Sequence, residues 1–390
     1  MSAPFEVSGF PAIVFGEGAL ARAPEIVSRF GRRALLVTGA RSLDGTGRLG
    51  ALEAGLAEAG VSWERARVEG EPSPAVVDAC VARFRRDPIE VVLGVGGGSA
   101  LDAAKAVAGL LRTGRSVMDH LEGVGRGIPY EGPAVPFVAA PTTAGTGTEA
   151  TRNAVLGERG SAGYKRSFRH EALVPRWAVV DPDLLEGCPP ELIAADGMDA
   201  LTQLLEAYVS IRANPFSDAL AESGLLAARD GLLPWFEGTG DPRAARERMA
   251  WASLLSGIAL AQAGLGAVHG LSPPLGSLFP IAHGVVCGTL VAAATEANLR
   301  ALGARAPGSP ALAKYARAAE ILSGRPARGE DLVELLGRWT ERLRLPRLGS
   351  FGVAEADLPR IVAGCRGASM RTNPVELSDE EVAAIVRSRL

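Results

Sequence analysis

The run "VVLGVGGGSALDAAK" at 91–105 constrains the fold more than any other part of the chain. An apolar segment enters four glycines (94 and 96–98), then Ser99, then an alanine-rich helical pattern. That order reads as strand, tight turn and helix, and a strand apolar on both faces belongs in a parallel sheet covered by helices. Bare glycine backbone followed by a helix N-terminus suits an anion such as a diphosphate. The plainer reading is a tight turn capped by Ser99, and the spacing departs from the usual GxGxxG.

Similar units flank it. "RALLVTG" (33–39), "AVPFVAAPTT" (134–143) and "WAVVDPDLL" (177–185) read as strands, and "RLGALEAGLAEAG" (48–60) as a helix. Strand signals stop near residue 185, after which helix follows helix, as in 217–236, 246–264 and 379–390, the last opening on a Ser378/Glu381 capping box. The expected architecture is α/β plus all-α: a Rossmann-like parallel-sheet domain at 1–185 and an all-helical domain at 186–390. A cleft between two such domains is a common ligand site.

Composition narrows the function. The 390 residues are 47% hydrophobic and 22% charged with net charge −3, which calls for neither nucleic acid nor a membrane surface. The opening "MSAPFEVSGFPAIV" lacks a secretory pattern, and the low-charge runs 257–268 and 284–295 are shorter than the roughly 20 residues of a membrane span. Cys80, Cys188, Cys287 and Cys365 form no CxxC pair, so a reduced, cytoplasmic protein is expected.

Two further stretches carry chemistry. "APTTAGTGTEAT" (140–151) offers hydroxyls and bare backbone at a strand's carboxyl end, where open α/β sheets bind ligands. In "GMDALTQLLEAYVS" (197–210), Asp199 and Gln203 share a helix face, and His269 and His283 lie in "VHGLSPPLGSLFPIAHG". Such donors from separate segments can converge on a divalent cation. A solvent-facing acid and core histidines are the bland alternative.

In order and spacing, "FPAIVFGEGAL", "GGGSALDAAK", "PTTAGTGTEAT", "DPDLL", "GMDALTQLLEAYVS", "VHGLSPPLGSLFPIAHG" and "RTNPVELSDEEV" resemble the iron-containing (group III) alcohol dehydrogenases. That family also contains maleylacetate reductases, and its fold is related to dehydroquinate synthase. The resemblance implies hydride transfer between a nicotinamide cofactor and an alcohol, aldehyde or ketone. Gly96, Gly97, Gly98 and Ser99 match the diphosphate turn, Asp102 an acid near the cofactor, and Thr142 and Thr143 the nicotinamide-side loop. Asp199, His269 and His283 match three of four ligands to iron or zinc and form the expected reacting centre.

Two positions depart from the family. Gln203 stands where the fourth ligand, a histidine, belongs, and Pro273 stands where many members carry a proton-relaying histidine. A glutamine carbonyl is a poorer ligand than imidazole, so a weakened or absent metal site is expected. A metal-independent, maleylacetate reductase-like enzyme is the alternative, and a nucleotide-binding relative with a decayed site is another. The first strand ends "LVTGARS", with Gly39 in place of the acid that takes ribose hydroxyls in NAD-preferring members. Arg41 and Ser42 suit a 2′-phosphate, so NADP(H) is expected to be preferred and NAD(H) usable. Lys165, Arg169 and Arg152 are candidates for holding an anionic group of cofactor or substrate. The resemblance also implies a homodimer or larger assembly, for which the apolar strand 11–15 is a candidate contact.

Overall fold

The computed structural model describes residues 4–40, 43, 45–160 and 162–390. Its α/β part contains strands β1 (Ala12–Phe15), β2 (Arg33–Gly39), β3 (Ser62–Val68), β4 (Val91–Gly96), β5 (Phe137–Pro141), β6 (Asn153–Glu158), β7 (Tyr164–Arg169) and β8 (Trp177–Val180). Helices α1 (Ala23–Ser28), α2 (Arg48–Glu58), α3 (Pro74–Phe84) and α4 (Gly98–Leu110) lie between them. From Pro190 onward the regular structure is helical: α5 (Pro190–Val209), α6 (Pro215–Glu237), α7 (Pro242–Ala263), α8 (Ala267–Leu278), α9 (His283–Arg305), α10 (Pro310–Ser323), α11 (Gly329–Arg342), α12 (Leu358–Gly364) and α13 (Asp379–Arg387).

Six strands form one parallel sheet in the order β1-β8-β5-β4-β2-β3. The chain runs outward from β2 to β3 and returns to the other side of β2 as β4. The strand order therefore reverses between β2 and β4, and ligands of open α/β sheets bind outside the carboxyl ends at such a reversal. Every residue of β4 is buried, as a central parallel strand requires. One apolar cluster, including Val92, Leu101 and Val107, packs α3 and α4 on one face; another, including Ile26, Leu36 and Leu56, packs α1 and α2 on the other.

Two strand boundaries differ from the sequence reading, and the first is 134–143, which is strand only over Phe137–Pro141. The segment 177–185 stops being a strand at Val180, because the Asp181 carboxylate accepts from Asp183 N and caps a 3₁₀ turn. Strands β3, β6 and β7 escape an apolar-run criterion: β3 is a partly exposed sheet edge, and β6 and β7 form a separate antiparallel hairpin with polar outward positions. The Ser378/Glu381 capping box is present on α13. Helix α9 extends beyond the apolar run that starts it and is long and apolar enough to span a bilayer. Most of its apolar window is nonetheless buried against other helices, as in a core helix.

The helical core takes in Ala144, Ala150 and Val180 from the sheet's carboxyl edge, which seats the helices over that edge. One contact depends on two glycines. Gly147 has φ +58, and a Cβ there would lie 2.5 Å from Gly257 N; a Cβ on Gly257 would lie 2.1 Å from Gly147 O. Helix propensity alone favours Gly257→Ala by roughly 1 kcal/mol. The contact reverses that sign, so Gly257→Ala should lower the thermal midpoint. Gly337→Ala, in α11 with nothing within 4 Å, should raise it. Calorimetry of the two variants decides the point, and a higher midpoint for Gly257→Ala would refute the contact.

Candidate active site

At the strand-order reversal, Gly97 is the extended N-cap of α4, and the first N–H groups of the helix face the carboxyl edge. The turn is tightly enclosed. A Cβ on Gly96 would lie 2.6 Å from Ala100 Cβ and 3.1 Å from Gly39 N; one on Gly98 would lie 2.8 Å from Thr146 Oγ1. Gly97 faces Thr143 in the same way. The structure thus brings together Gly39, Gly96–Gly98 with Ser99, and the loop of Thr142 and Thr143. Thr142 Oγ1 is buried with no partner among the described residues. Arg41 and Ser42, named for a 2′-phosphate, lie outside the described residues.

Beneath the turn, Asp102 accepts a hydrogen bond from the Thr148 hydroxyl. Burial raises its pKa, against the pull of Lys105 and Thr148. The ammonium of Lys105, missed in the sequence reading, is fully buried and donates to Thr148 O (2.7 Å), Thr148 Oγ1 (3.0 Å), Thr151 Oγ1 (3.0 Å) and Asn153 O (2.7 Å). Desolvation lowers its pKa to about 8 despite Asp102 and Glu149 nearby.

In the helical part, α5, α8 and α9 converge. His269 Nε2 lies 3.1 Å and His283 Nε2 3.5 Å from Asp199 Oδ1. Cys287 Sγ lies 3.6 Å from His269 Nε2 and 3.8 Å from His283 Nε2. Donor atoms from all four residues fall within 4.8 Å of one another. Their rings are held from behind: His269 Nδ1 donates to Glu206 Oε2 at 2.7 Å, and His283 Nδ1 lies 2.5 Å from Ser272 Oγ. Asp199, His269 and Cys287 are buried, whereas 27% of the His283 side chain is exposed, so the group opens to solvent at His283.

Gln203, expected as the fourth donor, is bound elsewhere. Its Nε2 donates to Thr146 O at 3.3 Å, and its Oε1 accepts from Ser256 Oγ at 3.1 Å. The amide ties the threonine loop to α7.

Burial and mutual charge shift every titratable group of the cluster. Burial alone would raise Asp199, yet His283 and His269 hold its carboxyl at about 2. Burial pushes His283 down to about 4 and the Cys287 thiol up to about 12, while Cys287, Asp199 and Glu206 carry His269 well above its ordinary value in spite of burial. Asp196 accepts from Thr143 and rises to about 7 through burial and the Asp199 charge.

Of the cationic candidates, Lys165 acts electrostatically on His283 while pairing with Glu71 at 3.3 Å. Lys165, Tyr164, Pro273 and Ser277 border a groove of about 200 Å³ between β7 and α8. Arg169 and Arg152 pair instead with Glu122 and Glu171. His120 and His170 serve the α/β part, bonding Ile128 O and Ala172 N.

Comparison with known proteins gives this geometry a family. Residues 11–182 match the iron-containing alcohol dehydrogenase profile, and residues 193–390 match the C-terminal profile of Fe-containing alcohol dehydrogenases. The chain belongs to the iron-containing alcohol dehydrogenase family. It is 32% identical to alcohol dehydrogenase 4 of Saccharomyces cerevisiae over 98% of both chains. It is 30% identical to the NAD-dependent methanol dehydrogenase of Bacillus methanolicus, over 97% of this chain and 98% of the relative. A crystal structure of 1,3-propanediol oxidoreductase superposes with TM-score 0.89 at 31% identity, covering all of both chains. The protein is therefore an oxidoreductase that interconverts an alcohol with an aldehyde or ketone by hydride transfer. Family membership implies NAD(H) and a divalent metal.

Sequence reading missed Cys287, Glu206, Ser272, Lys105, Asp196 and Glu149. Cys287 had a signal, its position four residues after His283, and Glu206 lies seven after Asp199 on the same helix face.

Glu149 yields a pH prediction. Its carboxyl is buried, Oε1 lacks a partner among the described residues, and burial raises the pKa from 4.5 to about 7 against the pull of Lys105. Between those values the folded chain keeps a proton that the unfolded chain releases, so stability falls as pH rises through the interval, by up to about 3 kcal/mol. Glu149→Gln should melt like the wild type near the acidic end and higher than it above the alkaline end. Parallel melting curves across the whole range would count against this assignment.

Proposed function

We propose that a divalent cation is held by Asp199, His269 and His283, and that a nicotinamide cofactor lies along the Gly96–Ser99 turn with Thr142 and Thr143 beside its reactive end. The observation carrying this reading is the convergence of one carboxylate and two imidazole Nε2 atoms, 3.1 and 3.5 Å from it, with His283 partly exposed. The residues present fit both groups. Glu206 and Ser272 occupy the Nδ1 positions, which leaves both Nε2 atoms directed at one point, as imidazole ligands require. The glycine turn packs on Ala100, Thr143 and Thr146 so closely that no Cβ fits, which leaves its backbone bare at the start of α4, and the buried Thr142 hydroxyl has no partner among the described residues.

The cation, when bound, polarises the substrate oxygen, and the nicotinamide supplies or accepts hydride. The remaining work falls to the chain. The α4 N-terminus presents N–H groups to the diphosphate. Lys165, near His283 and bordering the groove, draws an electron-rich substrate toward the opening. Pro273, where a relaying imidazole is common in the family, borders that groove and carries no titratable group, so the proton exchanges with solvent on the His283 side.

His283→Ala should lower kcat/KM for a small aldehyde by at least about a hundredfold and reduce bound metal measured by elemental analysis. Unchanged turnover would favour the metal-independent reductase instead. For the cofactor, we infer a preference for NADP(H) with NAD(H) usable, since Gly39 ends β2 without a carboxylate to repel a 2′-phosphate. Gly39→Asp should shift the NADPH-to-NADH ratio of kcat/KM toward NADH by about tenfold or more; a ratio unmoved by the new acid would refute the inference.

A further inference from the structure

We propose that Cys287, as a thiolate, is the fourth metal ligand of this chain, replacing the histidine that Gln203 has displaced, and that the site therefore selects zinc-like over iron-like cations. The inference rests on the metal reading above and adds the identity of the donor set.

Three observations carry it. The first is distance. A tetrahedral zinc with bonds of about 2.0 to 2.3 Å places its ligand atoms roughly 3.3 to 3.6 Å apart. The cluster shows separations of 3.1 and 3.5 Å from Asp199 Oδ1 to the two Nε2 atoms, and of 3.6 and 3.8 Å from Cys287 Sγ to the same nitrogens. The sulfur already stands at the apex of a site of the right size.

The second is spacing. Two donors four residues apart on a helix present themselves to one ion, the arrangement used when paired histidines on a helix bind zinc. His283 and Cys287 have that spacing on α9, as Asp199 and Gln203 have it on α5. The chelating pair has moved from one helix to the other.

The third is exclusion of the alternative. Both polar atoms of the Gln203 amide are engaged by Thr146 O and Ser256 Oγ, and its carbonyl is a neutral, weak donor. Cys287 is fully buried, and its sulfur faces the other three donors, the two imidazoles and the Asp199 carboxylate.

Exchange of imidazole for thiolate has two chemical consequences. A soft sulfur donor favours zinc or cobalt over the harder iron(II), manganese or magnesium. Thiolate and carboxylate together neutralise a dication, so the centre is one unit less positive than with three imidazoles and polarises the substrate oxygen less strongly. Loading releases the thiol proton to solvent.

The test uses full-length protein, stripped with chelator and reloaded with cobalt(II). Wild type should take up one equivalent by elemental analysis and show an intense near-ultraviolet sulfur-to-cobalt charge-transfer band beside its visible d–d bands. A Cys80→Ser/Cys188→Ser/Cys365→Ser variant should keep that band. Cys287→Ser and Cys287→Ala, checked for fold by their metal-free melting points, should lose the band and bind cobalt at least about tenfold more weakly. Adding Gln203→His to Cys287→Ser should restore affinity without the band. Cobalt bound to wild type with no charge-transfer band, or a band that survives in Cys287→Ser, would overturn the thiolate ligand and leave the metal reading standing. Failure of wild type to bind cobalt would overturn both.

Discussion

A buried ammonium ion organises the carboxyl edge of this sheet. Lys105 has no access to water and must find its solvation in the protein, which it does through four oxygen acceptors at 2.7 to 3.0 Å. All four belong to residues 148–153, so the charge fastens the end of the threonine loop to α4. The same loop places Thr143 and Thr146 against Gly97 and Gly98 and sets Gly147 against α7. Glycine turn, threonine loop and helical half thus share one electrostatic anchor.

The helical side obeys a complementary constraint. Asp199 and Glu206 bring carboxylates into a region with little water, where both face the His269 ring. Such an arrangement is costly without a cation and stable with one. Gln203 joins the two sides structurally, since its amide spans from Thr146 O to Ser256. A residue that reads as a defective ligand is a strut between the two walls of the cleft.

What could be read from sequence follows the physics of each element. Central parallel strands such as β4 are continuous apolar runs and declare themselves, whereas β3 and the β6–β7 hairpin mix charge with half-exposure and look like loop. Asp199, His269 and His283 were legible through spacing shared with a family, and the structure brings them together. Cys287 is hidden from a search for CxxC pairs, and only its four-residue offset from His283 marks it. The roles of Lys105 and Glu149 depend on burial that only tertiary packing reveals. Lys165 borders the groove, whereas Arg169 at the far end of the same strand and Arg152 just before β6 pair with acids elsewhere, a distinction that charge alone does not carry.

The sheet order also bears on how the chain is assembled. β1 pairs in parallel with β8, and the Asp181 carboxylate that follows β8 accepts from Gly18 N and Leu20 N, the former bond joining residues 163 apart. During synthesis β1 therefore waits for nearly the whole α/β region that follows it before it has a neighbour. Closing so long a loop is entropically expensive and slow, and until it closes an apolar strand stays open to other chains. The sheet edge at β1 is thus closed only once β8, at the far end of the α/β region, has been made.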